Sequence, residues 1–153
     1  AEKGNRENKT GTLADAMIGA DVFIGLSTGN LVTADMVKSM RKDPIVFPMA
    51  NPTPEIMPDL ARAAGAAVVG TGRSDFANQI NNVLAFPGIF RGSLDAGATR
   101  IHDDMKLEAA RALAEYVAEP NVERILPDPL DRNVAPRVGK AVAEAAKRAG
   151  VCR

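Results

Sequence analysis

Three groups of polar residues in this chain carry side chains that could bind a small organic molecule. They are the run 51–55 (NPTPE), the run 70–76 (GTGRSDF) and the pair Asn81-Asn82. Each group follows an apolar, strand-like stretch, which is where an open α/β sheet places its ligand-contacting loops. An asparagine amide both donates and accepts hydrogen bonds, so Asn51, Asn81 and Asn82 suit the recognition of hydroxyl, carboxylate or carbonyl groups. The sequence therefore indicates a site for a polar, partly anionic molecule.

Each asparagine also has a purely structural explanation. Asn51 precedes a proline that biases it towards an extended conformation, and an ordinary Asn-Pro turn would account for it. Asn81 and Asn82 lie where a polar loop is predicted to turn into an apolar helix. There they could add their amides to the unsatisfied N–H groups of a helix N-terminus, which attract anionic groups. The alternative, an asparagine N-cap, explains one of the two and leaves the other without a role.

A further candidate segment is formed by Gly25, Leu26, Ser27 and Thr28, which end an apolar run. Its small residues would let a flat ring or a ribose approach the backbone, although a plain glycine turn is equally compatible. No Gly-x-Gly-x-x-Gly follows a predicted strand, so the turn that cradles a pyrophosphate is not found in this chain.

The charged residues near these groups are better explained by structure than by chemistry. Arg73 and Asp75 could orient their loop by an ion pair, and Arg91 could hold a phosphate or carboxylate. Charges near surface turns are common, however, and a structural role is favoured for all three.

His102, the only histidine, is expected to be a capping or surface residue, because no cysteine or second histidine accompanies it. The acidic residues Asp103, Asp104 and Glu108 are explained by the dipole of the helix that they begin, with a divalent metal site as the weaker alternative. Tyr116 extends the apolar face of that helix and is expected to pack. We therefore assign no catalytic residue and no metal ligand to this chain.

The elements that position these residues are those of an α/β protein. Apolar strands are predicted at 21–26, 45–49 and 66–70, alternating with helices at 13–18, 34–40 and 58–64. Thr33 is expected to cap the second helix, Pro58 to lie in the first turn of the third, and Pro48 to end the second strand. This alternation predicts a parallel sheet of about three strands with flanking helices. Helical spacing at 81–94, 103–118 and 135–149 adds C-terminal helices. Residues 1–153 are treated as one portion of a domain, with a connector 1–12, a βαβ part 13–80 and a mainly helical part 81–153.

Composition excludes several classes of partner. Lys and Arg number 19, as do Asp and Glu, so no basic field is available to bind nucleic acid. No apolar stretch is long enough to span a membrane, and the polar N-terminal segment does not resemble a signal peptide. The single cysteine, Cys152, cannot form an intrachain disulfide. We expect a cytoplasmic protein.

The segments 47–55, 72–76 and 81–92 together resemble the malic enzyme family of bacterial type. The resemblance extends through 21–27 and 126–129 and covers roughly residues 13–150. In that family these elements form the later part of the NAD(P)-binding domain, so the resemblance implies a partial Rossmann-like sheet. It also implies oxidative decarboxylation of malate to pyruvate and carbon dioxide, with NAD or NADP as hydride acceptor and Mg or Mn polarising the 2-oxo group.

By the same resemblance, substrate contacts are expected from Asn51 and from one of Asn81 and Asn82. Asn51 and Asn82 would also contact the nicotinamide side of the cofactor, and Gly25 to Thr28 would lie along the dinucleotide. The family's catalytic tyrosine and lysine, its metal ligands and its glycine fingerprint all lie N-terminal to the segments matched here.

We therefore expect a fragment that is inactive alone and whose partners are the missing N-terminal half, malate or pyruvate, and further copies in a homo-oligomer. An exposed sheet edge would favour pairing with another chain. A non-catalytic nucleotide-binding or interaction module is the alternative, and another dehydrogenase with a similar sheet is a third possibility. The residue that separates NAD from NADP lies outside the matched segments, so both cofactors stay open.

Overall fold

The computed structural model describes residues 4, 5 and 7–153, and the chain divides into two compact units, Ala1–Ala77 and Asn78–Arg153. The first unit holds a parallel sheet of three strands in the order β1-β2-β3: β1 is Val22–Gly25, β2 is Ile45–Pro48 and β3 is Val68–Val69. Three helices alternate with the strands: α1 (Leu13–Met17), α2 (Ala34–Lys38) and α3 (Pro58–Ala63). The prediction of an α/β protein with three parallel strands is confirmed.

The helices of the first unit begin where the sequence places start signals. The Thr33 hydroxyl accepts a hydrogen bond from the Met36 N–H at 3.3 Å and caps α2, as predicted. Thr12 caps α1 and Asp15 bonds back to its N–H at 2.8 Å, which is a capping box. Pro58 lies in the first turn of α3, where its missing N–H has no helical partner to lose.

The third strand is shorter than predicted. The sequence pattern predicts a strand over 66–70, but β3 contains two residues. The N–H of Ala66 donates to the carbonyl of Ala61 at 3.0 Å, so it completes the end of α3 and is not available to the sheet. Strand β2 has four residues and ends at Pro48, as expected from the proline.

The sheet of the first unit has one face in the core and one partly exposed face. Phe23, Val46 and Val69 are buried in the core that the helices complete. On the opposite face of β1, the side chains of Val22 and Ile24 are 45% and 59% exposed. Parallel sheets are normally covered on both faces, so this side of β1 is a surface that would gain stability from a further covering element.

The second unit is helical. It consists of a 3₁₀ turn (Asn82–Leu84) and three helices, α4 (Phe86–Asp95), α5 (Asp103–Ala114) and α6 (Val134–Arg148). Its core is formed by apolar residues of all four elements: Leu84, Ile89, Met105, Ala109, Val138, Val142 and Ala145. Helix α6 packs on both α4 and α5. Among the described residues, no helix is long and apolar enough to cross a lipid bilayer.

The predicted helix 81–94 is two elements in the structure. The 3₁₀ turn ends at Leu84, and α4 begins at Phe86 with Pro87 in its first turn. Because proline lacks an N–H and has a fixed φ, it fits the first turn of a helix and fixes the start of α4 there. The helix N-terminus therefore lies at Phe86, not at Asn81 and Asn82 as expected.

Candidate functional site

The first candidate segment leaves the carboxyl end of β1. Gly25 is the last residue of the strand and is buried, whereas Leu26, Ser27 and Thr28 are exposed in the loop that follows. Leu26 is 77% exposed, which presents a large apolar side chain directly after the strand. A backbone with small residues beside an exposed apolar side chain is suited to contact a flat ring and a polar sugar.

Asn51 lies at the same edge of the sheet, after β2. Gly25 is paired with Pro48 in the parallel ladder, and the Met49 N–H donates to the Gly25 carbonyl at 3.0 Å. The loops after β1 and β2 therefore start side by side. Asn51 is exposed, follows Ala50 and is joined to Pro52 by a cis peptide bond. Its side chain forms no hydrogen bond within the described part of the chain, so both polar atoms of its amide are available to a ligand.

Glu55 connects these two loops and is not assigned a role from the sequence. Its side chain is fully buried. One carboxylate oxygen accepts the Ser27 N–H at 2.8 Å and the other accepts the Ala50 N–H at 3.0 Å. The signal that could have revealed it is an acidic residue placed directly between the apolar residues Pro54 and Ile56, because glutamate is rarely buried without a partner.

Asn81 and Asn82 belong to the second unit and differ in what their side chains do. The Asn81 Oδ1 accepts the Val83 N–H at 3.0 Å, so Asn81 caps the 3₁₀ turn. The Asn82 side chain is exposed and has no hydrogen-bond partner among the residues that the structure describes. The N-cap alternative therefore accounts for Asn81 and leaves Asn82 available.

The charged candidates have the structural roles that the sequence favours. Arg73 donates two hydrogen bonds to Asp75, at 2.9 and 2.6 Å, and its guanidinium lies 5.5 Å from the centre of the Phe76 ring. The hydrogen bond from Arg73 lowers the pKa of Asp75. Arg91 is paired with Asp95 one turn further along α4, at 2.8 Å. These guanidinium groups already have carboxylate partners.

The residues around His102 also have structural partners. The His102 Nδ1 accepts the Asp104 N–H at 3.3 Å and caps α5, which confirms the capping role. Asp103 pairs with Lys106 at 2.6 Å, and the hydrogen bond from that lysine lowers the pKa of the carboxyl. Glu108 pairs with Arg111 at 2.7 Å. Within the described residues, no three His, Cys, Asp or Glu side chains are grouped so that they could hold a metal ion.

Tyr116 packs against the core of the second unit, as predicted, and its hydroxyl also has a specific partner. It donates to the Asp131 carboxylate at 2.6 Å. This hydrogen bond raises the pKa of Tyr116 and lowers that of Asp131. Asp131 also accepts the Asn133 N–H at 2.9 Å, so the pair joins the end of α5 to the turn before α6.

The sheet is parallel, and the loops that carry the candidate ligand-binding residues leave the carboxyl ends of adjacent strands. This arrangement defines a Rossmann-like nucleotide-binding domain. The comparison with protein families shows which kind of nucleotide-binding domain this is. Residues 3–147 match the family described as malic enzyme, NAD binding domain, and the chain belongs to this family.

Individual relatives agree with the family assignment. The chain is 58% identical over 151 residues to a bifunctional malic/malolactic enzyme of Bacillus subtilis (strain 168), covering 97% of this chain and 37% of that protein. It is 51% identical to an NAD-dependent malic enzyme of Geobacillus stearothermophilus, covering 100% of this chain and 32% of that protein. The crystal structure of malic enzyme from Pyrococcus horikoshii Ot3 superposes with a TM-score of 0.93 at 48% identity, covering 96% of this chain and 34% of that one. The chain thus spans about a third of the length of these relatives.

Proposed function

We propose that this chain is a part of a malic enzyme and contributes to its dinucleotide and malate contacts. The parent protein would convert malate to pyruvate and carbon dioxide and reduce NAD or NADP. One observation carries the proposal: Gly25 to Thr28 and Asn51 leave adjacent strands at one edge of the sheet, joined there through Glu55. This is the edge at which parallel α/β domains bind their ligands.

The dinucleotide fits the loop after β1. Gly25 is buried against the Glu55 carboxylate, so the part of this segment open to a ligand begins at the next residue, where the exposed Leu26 offers an apolar contact for a ring. Ser27 and Thr28 supply hydroxyls for a sugar or phosphate. When bound, the nicotinamide would accept a hydride from the hydroxyl-bearing carbon of malate. The contribution of this chain would be to bind the cofactor and malate and to orient them.

Asn51 and Asn82 are proposed as the asparagines that contact ligand. Both amides are exposed and have no hydrogen-bond partner in the described part of the chain. Asn51 would contact the nicotinamide side of the cofactor and malate, and Asn82 would donate to an anionic or carbonyl oxygen of the ligand. Asn81 is the weaker candidate, because its Oδ1 already accepts the Val83 N–H.

The divalent metal of the parent enzyme is not assigned to residues of this chain. The described residues contain no group of three His, Cys, Asp or Glu suited to hold it. We propose that Mg or Mn is bound by residues of the parent protein outside this chain. The role of this chain is then limited to contacts with the cofactor and the substrate.

The partly exposed side of β1 supports the proposal that another part of the parent protein packs against it. Val22 and Ile24 are apolar and half exposed, and β1 is an edge strand of the described sheet. An edge strand with apolar residues on an uncovered face is suited to add a strand or a helix. We propose that the remaining part of the parent polypeptide covers it, and that the parent is a homo-oligomer.

The test is an assay of the full-length protein that contains this chain, beside the chain alone. The full-length protein is incubated with malate, Mn²⁺ and either NAD or NADP, and both reduced cofactor and pyruvate are measured. We expect turnover by the full-length protein, none by the chain alone, and loss of turnover when the metal is chelated. A full-length protein that binds NAD without consuming malate would instead favour the non-catalytic nucleotide-binding module. Light scattering of the same preparation tests the oligomer.

A further inference from the structure

We propose that Glu55 is a positioning residue that sets the relative placement of the two cofactor-contacting loops, an inference that rests on the proposed function. Its two carboxylate oxygens accept the N–H groups of Ser27 and Ala50, at 2.8 and 3.0 Å. Ser27 lies within the proposed dinucleotide segment, and Ala50 directly precedes Asn51. One side chain therefore holds the backbone at both proposed contact points.

The main chain around Glu55 ties the same two loops together further along. The Asn30 N–H donates to the Pro54 carbonyl at 3.0 Å, and the Val32 N–H donates to the Glu55 carbonyl at 2.9 Å. These bonds hold the far end of the loop after β1, next to α2. At the near end, the Met49 N–H holds the Gly25 carbonyl at 3.0 Å, and beyond that bond the Glu55 side chain links Ser27 to Ala50, next to the proposed contacts.

The chemistry of Glu55 favours positioning over simple filling of space. The side chain is fully buried, and burial of a carboxylate is costly unless its oxygens are hydrogen-bonded. None of the ion pairs among the described residues involves it. An apolar side chain would avoid the desolvation cost, but it would leave the N–H groups of Ser27 and Ala50 without an acceptor. Two accepting oxygens at a fixed spacing are what this position requires.

The test is the Glu55→Gln variant of the full-length protein, assayed for turnover of malate with Mn²⁺ and either nicotinamide cofactor. Glutamine keeps the shape but replaces one accepting oxygen by an NH₂ group, which would face a backbone N–H. One of the two loops then loses its hydrogen bond and shifts. We expect the KM for the cofactor to rise about tenfold and kcat/KM to fall by about 10- to 100-fold, as small misplacements of contact groups do.

The matched control is Val46→Ala. Val46 is fully buried in β2 and its side chain makes no hydrogen bond to either loop, so its truncation destabilises the same unit by creating a cavity. A loss of folded protein lowers the concentration of active enzyme and hence the apparent kcat, but it leaves both KM values unchanged. A rise in KM in Glu55→Gln and not in Val46→Ala supports the positioning role.

Three outcomes would overturn parts of the proposal in distinguishable ways. A wild-type protein without malate turnover overturns the proposed function, and with it this role of Glu55. A wild-type protein with turnover, and a Glu55→Gln variant with unchanged KM values, overturns the role of Glu55 alone. Where Glu55→Gln does not accumulate as folded protein, Glu55→Asp carries the same test, because it keeps the carboxylate but is too short to reach both N–H groups. Unchanged KM values in that variant count against the proposal equally.

Discussion

The carboxyl group of Glu55 occupies the space that a side chain at Gly25 would need. A Cβ atom on Gly25 would lie 2.6 Å from Oε1 and 2.8 Å from Oε2 of Glu55. The glycine that ends β1 and the glutamate that follows β2 are therefore a matched pair: the absence of a side chain at one lets the other reach the N–H groups of Ser27 and Ala50.

This relationship predicts that Gly25→Ala is destabilising. The added methyl group would push the buried carboxylate away from its two donors, and overpacking of a well-filled site costs about 1–3 kcal/mol. We expect a lower urea midpoint, together with a higher KM for the cofactor in the full-length protein. The double variant Gly25→Ala/Glu55→Ala removes the overlap, so it should lose less stability than the two single changes added together. Additive losses would contradict the pairing.

The contact between helices α4 and α6 gives a second prediction, because two of the glycines in it, Gly92 and Gly139, are not equivalent. A Cβ on Gly92 would overlap the carbonyl oxygen of Gly139 and lie 2.8 Å from the Val142 Cβ, whereas a Cβ on Gly139 would be 3.4 Å or more from its neighbours. We expect Gly92→Ala to destabilise by about 1–3 kcal/mol. Gly139→Ala should be neutral or stabilise by up to about 1 kcal/mol, since alanine is the better helix former. Chemical denaturation of both variants measures the difference, and equal losses would contradict the packing.

Thr71 provides a prediction about a buried hydroxyl. Its side chain is fully buried, and Oγ1 has no hydrogen-bond partner among the described residues. An unpaired buried polar group costs about 1–3 kcal/mol, and replacing it by an apolar group of the same shape removes that cost. We expect Thr71→Val to raise the free energy of unfolding by about 1 kcal/mol. Thr71→Ser, which keeps the hydroxyl and deletes the methyl group, should lower it. A valine variant less stable than wild type would show that the hydroxyl has a partner.

The pair of Tyr116 and Asp131 makes stability depend on pH in two ranges. The hydrogen bond between them lowers the pKa of Asp131 and raises that of Tyr116. The contribution of Asp131 is therefore present above its unfolded pKa of about 4 and is lost as the pH falls through its lower folded pKa. The contribution of Tyr116 is present below its unfolded pKa of about 10 and is lost as the pH rises through its higher folded pKa.

Tyr116→Phe should therefore be less stable than wild type near neutral pH. The difference in melting temperature between the two proteins should narrow below about pH 4 and above about pH 10. Melting curves of both proteins across this range test the expectation. Asp131→Asn is the companion variant, because it also lacks the carboxylate whose protonation lowers the stability of wild type at acid pH. A difference that does not change with pH would show that the hydroxyl contributes through packing alone.

Local signals in the sequence predict much of this fold. The alternation of strands and helices indicates three parallel strands, and Thr33 and Pro58 mark the starts of α2 and α3 correctly. His102 is a cap, as a lone histidine beside a helix start suggests. These features depend on residues within one turn or one strand, where propensity and hydrogen bonding decide the outcome.

The sequence does not reveal two kinds of feature. Some depend on a partner that is distant in the chain, and others depend on which of two possible partners a backbone N–H binds. Glu55 has its first partner 28 residues away, at Ser27, so no local pattern marks it as a link between loops. The predicted extent of β3 is wrong because the Ala66 N–H bonds to α3 and not to the sheet. The predicted start of α4 is wrong because Asn81 caps a separate 3₁₀ turn.

Replacing each of the two adjacent asparagines is expected to have a different effect, one mainly on malate turnover and the other mainly on stability. Asn82 has no hydrogen-bond partner in the described part of the chain and is proposed to contact ligand, whereas Asn81 accepts the Val83 N–H and caps the turn. In the full-length protein, Asn82→Ala should lower kcat/KM for malate by about 10- to 100-fold, the loss typical of a hydrogen bond to a charged group, with little change in melting temperature. Asn81→Ala should lower the stability by about 0.5–2 kcal/mol through loss of the cap and change kcat/KM less. Steady-state kinetics and thermal melting of both variants, on the same preparations, separate the two roles. If Asn81→Ala impairs malate turnover more than Asn82→Ala, the ligand contact belongs to Asn81, whose NH₂ group is not used by the cap.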